Sequence, residues 1–149
     1  MSLISDADQE KLRAAFSEMT SPVRLMFFTQ TLDCETCLQA RQILDELPPL
    51  SDKISIEEVN LILEGDKAKQ YGIDRAPAIA LVAANGHGPD AVKDSRIRFL
   101  GTPAGYEFIS LIQAVLLVGG RPAGLTEENR ARLAAVNAPV TIQVFTTPT

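Results

Sequence analysis

Cys34-Glu35-Thr36-Cys37 contains both cysteines of the chain and follows the apolar run Val23–Thr29. A strand that feeds a helix through such a pair sets the first sulfur at the helix N-terminus. The second then lies one turn further along the same face. Residues at i and i+3 of a helix are about 5–6 Å apart, a separation that a disulfide tolerates. A helix N-terminus carries roughly half a positive charge and favours thiolate over thiol. An exposed thiolate with a partner thiol in reach is equipped for thiol–disulfide exchange.

Two other readings compete. Zinc takes about four ligands from Cys, His or carboxylate. The only other good donor is His87, far along the chain in a Gly-rich stretch. A permanent structural disulfide would close so small a loop that it removes little entropy from the unfolded chain. Redox exchange is the leading reading, and a structural or zinc-bridged interaction module of the same fold is the non-catalytic alternative.

With 149 residues the chain is long enough for one well-buried domain, or for one domain and part of another. A net charge of −5 argues against general nucleic-acid binding and against a polybasic membrane anchor. The start Met1-Ser2-Leu3-Ile4-Ser5-Asp6 lacks the basic residues and long apolar core of a secretory signal. The apolar run Ala114–Val118 is far too short to span a membrane. Two cysteines at catalytic spacing suit the cytoplasm better than a disulfide-stapled secreted protein. A cytoplasmic protein is expected.

Ser5 with Asp8 has capping-box spacing, and Leu12, Ala15, Phe16 and Met19 form a helical stripe that Ser21-Pro22 ends. Val23–Thr29 has apolar residues at both parities, as in a central strand covered on both faces. Cys37, Ala40, Leu44 and Leu47 mark a second helix, which Pro48-Pro49 closes. Strands are expected over Ile54–Val59, Pro77–Val82 and Arg96–Leu100, with a short helix over Asp66–Tyr71 and a last one over Tyr106–Val118. Asn85–Asp90 is a hairpin loop by its turn residues, and Gly119-Gly120 ends the last helix. The element order is α-β-α-β-α-β-β-α. The β-α-β start requires a right-handed crossover and parallel strands.

This sequence resembles the thioredoxin and glutaredoxin superfamily over residues 23–118. Two separated motifs carry the likeness: the cysteine pair after a strand, and Tyr71-Gly72-Ile73-Asp74-Arg75-Ala76-Pro77, which is similar to the segment with the family's cis-proline. The resemblance implies an α/β, thioredoxin-like fold: a central mixed four-stranded sheet with helices on both faces. It implies Cys34 as the attacking nucleophile and Cys37 as the resolving thiol. It also implies Pro77 as the cis-proline opposite the sulfurs, and Ala76 as the residue whose backbone meets a bound peptide. No organic cofactor and no metal are implied.

An internal echo extends the likeness. Ser21–Thr29 recurs as Ala138–Thr146, each after a helix, with Leu12-Arg13-Ala14-Ala15 echoed by Arg132-Leu133-Ala134-Ala135. The expected organisation is a thioredoxin-like unit at 1–118, a linker at 119–125, and the first helix and strand of a second unit at 126–149. Such a tandem resembles the protein disulfide oxidoreductases of two units. The amino-terminal part of the flavoprotein component of alkyl hydroperoxide reductase is built the same way, but its first unit lacks a cysteine pair, so it resembles this chain less.

Departures are visible. The dipeptide between the cysteines is Glu-Thr, and Asp33 and Glu35 flank Cys34. Their like charge opposes thiolate formation while the helix terminus favours it, so Cys34 is expected to be less acidic than in strongly oxidising relatives. The central strand lacks the buried acid that thioredoxins place behind the cysteines. Glu57 or Glu58 of the next strand is a possible substitute. His87 and Arg75 read as surface residues.

The expected function is a thiol–disulfide oxidoreductase that reduces, forms or exchanges protein disulfides. A thioredoxin-reductase-like flavoenzyme is the implied electron donor, and an electron relay in a peroxide-reducing system is the alternative. The helix Tyr106–Val118 is apolar nearly all round, so it should be buried on more than one side, with the helix near Thr126–Val136 as its local cover. The β-branched stretch Val140–Phe145 is expected to add to a sheet edge within the chain, or across a homodimer formed through residues 126–146.

Overall fold

The computed structural model describes residues 2–84 and 91–147, so His87 and the expected hairpin loop lie outside the described residues. Helix α1 (Asp6–Ser17) is capped by Ser5, whose hydroxyl accepts the Asp8 N–H and donates to the Asp8 carboxylate. Strand β1 (Val23–Thr29) lies inside a four-stranded sheet of order β2-β1-β3-β4. β2 (Ile54–Asn60) runs parallel to it and β3 (Ala78–Ala84) antiparallel. β4 (Val92–Leu100) pairs antiparallel with β3 at the edge.

The two apolar parities of β1 feed two cores. Leu25 and Phe27 point to the face where α1, α2 (Cys37–Asp45) and α4 (Tyr106–Val118) contribute Phe16, Leu44, Leu111 and Val115. Met26 and Phe28 point to the other face, against Ala68 of α3 (Gly65–Gln70), Tyr71 and Ile73. A single turn of 3-10 helix, Pro48–Leu50, follows α2.

β4 starts four residues earlier than the pattern suggests. Ala80 pairs with Arg98 but Val82 with Asp94, so residues 95–97 bulge opposite Leu81. Arg96 takes a positive φ of 64° there, and its N–H is accepted by the Asp94 carboxylate. The bulge breaks the alternation that a sequence pattern relies on.

The end of α4 is fastened to the start of the sheet. The Gly119 carbonyl accepts the N–H groups of Thr20 (2.9 Å) and Ser21 (3.1 Å). Gly120 has φ +110°, and a Cβ there would lie 2.1 Å from Thr20 Oγ1, so only glycine fits.

Two expectations are corrected here. Helix α5 (Glu127–Ala134), capped by Thr126, buries no residue and leaves the α4 face of Tyr106, Ile109 and Leu117 open. Of the two placements expected for residues 140–145, the one within the chain is not adopted: they form no ladder with the sheet and are exposed throughout. A strand pattern satisfies its backbone groups only beside a partner strand, and this one does not reach the edge strands β2 and β4.

Candidate active site

One end of the sheet gathers the segments that the sequence singles out. Phe28 pairs with Ala78, and Ala78 with Leu100. The loop after Thr29, the residue before Ala78 and the residue after Leu100 therefore share that end. They are the approach to Cys34, Pro77 and Gly101.

The approach loop is held locally. The Gln30 side-chain amide donates to the carbonyls of Leu32 (2.8 Å) and Asp33 (3.4 Å). Asp33 adopts a φ of 55°, a left-handed conformation that Asp tolerates better than most residues. Cys34 and Cys37 are joined in a disulfide with their Cα atoms 5.5 Å apart. Regular helix begins at Cys37, one turn later than a start at Cys34. Residues 34–36 form a turn in which the Cys37 N–H donates to the Cys34 carbonyl at 3.4 Å. Cys37 is only 6% exposed, whereas Cys34 is half-buried.

The Ala76–Pro77 peptide bond is cis, with Pro77 buried and Ala76 half-buried. Two bonds link this turn to the cysteine loop through a segment the sequence pattern does not mark as functional. The Gly101 N–H donates to the Pro77 carbonyl at 2.8 Å. The adjacent Thr102 hydroxyl donates to the Thr36 carbonyl at 3.3 Å. The sequence signal was a glycine closing a strand just before Thr102-Pro103, which marks a turn but not its target.

A second support comes from β4. Arg98 Nε donates to the Tyr71 carbonyl at 3.0 Å, and its guanidinium sits 5.5 Å from the Tyr71 ring centre. Tyr71 in turn packs on Phe28, with ring centres 5.9 Å apart. Asp94 grips both terminal nitrogens of Arg98 at 2.8 and 2.6 Å. That pairing holds the Asp94 carboxyl below the usual range, against an opposing effect of burial. The entry to the proline turn is thus fixed by a residue from the bulged edge strand.

Neither Glu57 nor Glu58 stands behind the cysteines as a free acid. Glu57 pairs with Arg24 at 3.1 Å and with Lys67, and Glu58 pairs with Arg41. No charged side chain is buried among the described residues. Arg75 is exposed and forks onto Asp74 at 2.8 and 3.3 Å, a contact that lowers the Asp74 carboxyl and raises the guanidinium. Among the described residues no three of His, Cys, Asp and Glu gather as metal ligands, and no helix is long and apolar enough to cross a membrane.

A hollow of about 570 Å³ lies at the end of the sheet opposite the disulfide, between α1 and the turn Pro48–Lys53 that leads into β2.

No family model matches the chain. Over 115 residues it is 30% identical to the AhpF protein of alkyl hydroperoxide reductase from Escherichia coli, a match that takes in 76% of this chain but 18% of that protein. Over 91 residues it is 31% identical to a probable thioredoxin of Methanothermobacter marburgensis, covering 60% of this chain and 92% of that one. Among solved structures, the NTD_N/C domain of alkylhydroperoxide reductase AhpF from Enterococcus faecalis superposes with a TM-score of 0.78 at 28% identity. It covers 90% of this chain and 61% of that one. A protein disulfide oxidoreductase from Aeropyrum pernix shares the fold, with a TM-score of 0.71 at 20% identity over 88% of this chain and 54% of that one. The order reverses the one the sequence suggests: the reductase domain is nearer than the oxidoreductase in both identity and superposition.

Proposed function

The chain belongs to the thioredoxin superfamily, and from that premise we propose how its cysteine pair works: Cys34 attacks and Cys37 resolves. It is a thiol–disulfide oxidoreductase. In the reducing direction the Cys34 thiolate attacks one sulfur of a substrate disulfide. A Cys34–substrate bond forms, the substrate S–S bond breaks, and one substrate thiolate leaves and takes up a proton. The Cys37 thiolate then attacks the Cys34 sulfur and expels the second substrate thiolate. Two electrons pass to the substrate, and the Cys34–Cys37 bond is left behind. In the other direction a dithiol donor attacks that bond and restores the pair.

The observation that carries the assignment is the difference in exposure between the two cysteines. An incoming sulfur has an approach to Cys34 and not to Cys37. The half-buried backbone of Ala76 is the proposed rest for substrate peptide beside the sulfurs, and buried Pro77 is its apolar wall. Protein disulfides are the proposed substrates, because the residues that flank half-buried Cys34, from Thr31 to Asp33 and Glu35 to Thr36, are exposed to an incoming polypeptide.

The test is a pair of variants. Cys34→Ser should abolish reduction of insulin by dithiothreitol through this protein. Cys37→Ser should accumulate mixed disulfides, because attack survives and resolution is lost. Alkylation of Cys37 ahead of Cys34 in the reduced protein would reverse the roles.

A second reading is favoured by the alkyl hydroperoxide reductase matches: an electron relay that takes its electrons from a flavoenzyme domain or protein and hands them to a peroxide-reducing partner. Faster transfer from the reduced protein to a peroxidase disulfide than to insulin would select this reading, and the reverse would select general disulfide reduction.

Residues 126–149 are proposed as the start of a second thioredoxin-like unit after a linker at 119–125. The Ser21–Thr29 echo supports this. So does the alignment with the Enterococcus domain, whose 90% cover extends past Val118. The open face of α4 would then be covered by that second unit. A homodimer through residues 126–146 is the competing cover. Sedimentation of this chain should give a monomer mass, and a dimer dissociated by Val144→Lys would favour the competitor.

A further inference from the structure

We infer that the exchange site selects disulfides that carry positive charge, those of a polypeptide with a basic and an apolar residue beside the cystine, and discriminates against anionic small disulfides. This rests on the exchange chemistry proposed above and concerns what that chemistry accepts.

The charge around Cys34 is one-sided. Residues 30–38 hold two acids, Asp33 and Glu35, and no base. Both are exposed and adjoin the attacking sulfur in sequence. Residues 60–77, which run through the other segments at this end of the sheet, balance three acids with three bases. Of those bases, Lys67 is held by Glu57 and Arg75 by Asp74, while Lys69 and Asp66 offset one another on α3. Residues 100–106 hold no charged side chain. The approach to Cys34 therefore has negative charge from Asp33 and Glu35, and the one cation near Pro77 is already neutralised.

The remainder of the rim is apolar. Leu32 on the approach loop is 78% exposed and Leu38 in the first turn of α2 is 68% exposed. Ile62 and Leu63, just after β2, and Leu100, at the end of β4, are exposed at the same end of the sheet. Exposed Leu and Ile side chains around a reactive sulfur gain by burial against a polypeptide and gain little from a small polar thiol. Negative potential at the attacking sulfur speeds encounter with a cationic partner and slows it for an anionic one.

The experiment uses the reduced full chain and three symmetric small disulfides: cationic cystamine, neutral bis(2-hydroxyethyl) disulfide and anionic 3,3′-dithiodipropionate. Second-order rate constants for oxidation of the Cys34–Cys37 dithiol are measured by stopped flow at low ionic strength. The readout is the cystamine-to-dithiodipropionate ratio in the wild type divided by that in Asp33→Asn/Glu35→Gln. Any change in Cys34 acidity affects both reagents alike and cancels. The ratio should fall about tenfold in the double variant, and in the wild type it should shrink towards the variant's value in about 1 M salt. A lysine-flanked cystine peptide should likewise outpace a glutamate-flanked one. Brisk oxidation with the same ratio in both proteins would overturn the selection and leave the exchange chemistry intact. No oxidation by any of the disulfides would instead overturn the exchange chemistry.

Discussion

Gly101 and Thr102 show how two adjacent residues can tie the halves of a site together, Gly101 to the Pro77 carbonyl and Thr102 to the Thr36 carbonyl. The Gly101 φ of +101° lies where L side chains are strained, and a Cβ built there meets nothing within 4 Å. The cost of Gly101→Ala is therefore conformational and not steric, about 1–2 kcal/mol. The same residue donates to the Pro77 carbonyl, so relaxing its φ would move that bond as well. Urea denaturation should show the destabilisation, together with slower insulin reduction at unchanged cysteine content. At this scale the cysteines and Pro77 were legible, because their chemistry is local in sequence. Gly101, Thr102 and Arg98 were not, since a hydroxyl 66 residues from the carbonyl it reaches leaves no trace in a spacing pattern.

Among the elements, β4 carries the clearest electrostatic signature. The Asp94 carboxyl lies below its ordinary value because of its hydrogen bonds to Arg98. A depressed carboxyl contributes stability above its unfolded-state value, about 3.9, and loses it as pH falls through the lower folded-state value. Asp94 is partly exposed, so the contribution is on the order of 1 kcal/mol or less. Wild type and Asp94→Asn should thus differ in urea midpoint at about pH 6, and the gap should narrow as the pH falls below about 4. A gap independent of pH would mean that the bulge is held by something else. The strands and helices were readable because β1 is a short, nearly continuous apolar stretch and α2 repeats its apolar residues at the helical period. β4 was read short because Ser95–Ile97 bulge out of the alternation. Neither glutamate of β2 reached the cysteines, because Arg24, Lys67 and Arg41 stand closer.

For the molecule as a whole, the described residues up to Arg121 hold the packed structure. Every residue from 122 to 147 is exposed, and α5 buries none of its own. Ending the chain after Gly124 should leave the unfolding free energy within about 0.5 kcal/mol of the parent, as for surface changes that remove no buried contact. A larger loss would show that the tail packs in solution, on another copy or on the open stripe of α4. The fold around the four-stranded sheet was legible because its core closes on itself. The fate of Val140–Phe145 was not, because a strand is defined by its neighbours and its β-branched pattern names none of them.

The glycine pair at the end of α4 has a mechanical consequence. Because the carbonyl of Gly119 holds the N–H groups of Thr20 and Ser21, the chain leaves the unit beside the point where it enters the sheet. A module whose exit abuts its entrance can be copied in frame with only a few linking residues, and each copy closes before the next begins. The same geometry makes a clasp. Tension applied to the chain between α1 and the segment after Gly120 loads the Gly119 carbonyl and its two donors first, and the strand ladders feel the pull only once that clasp has opened.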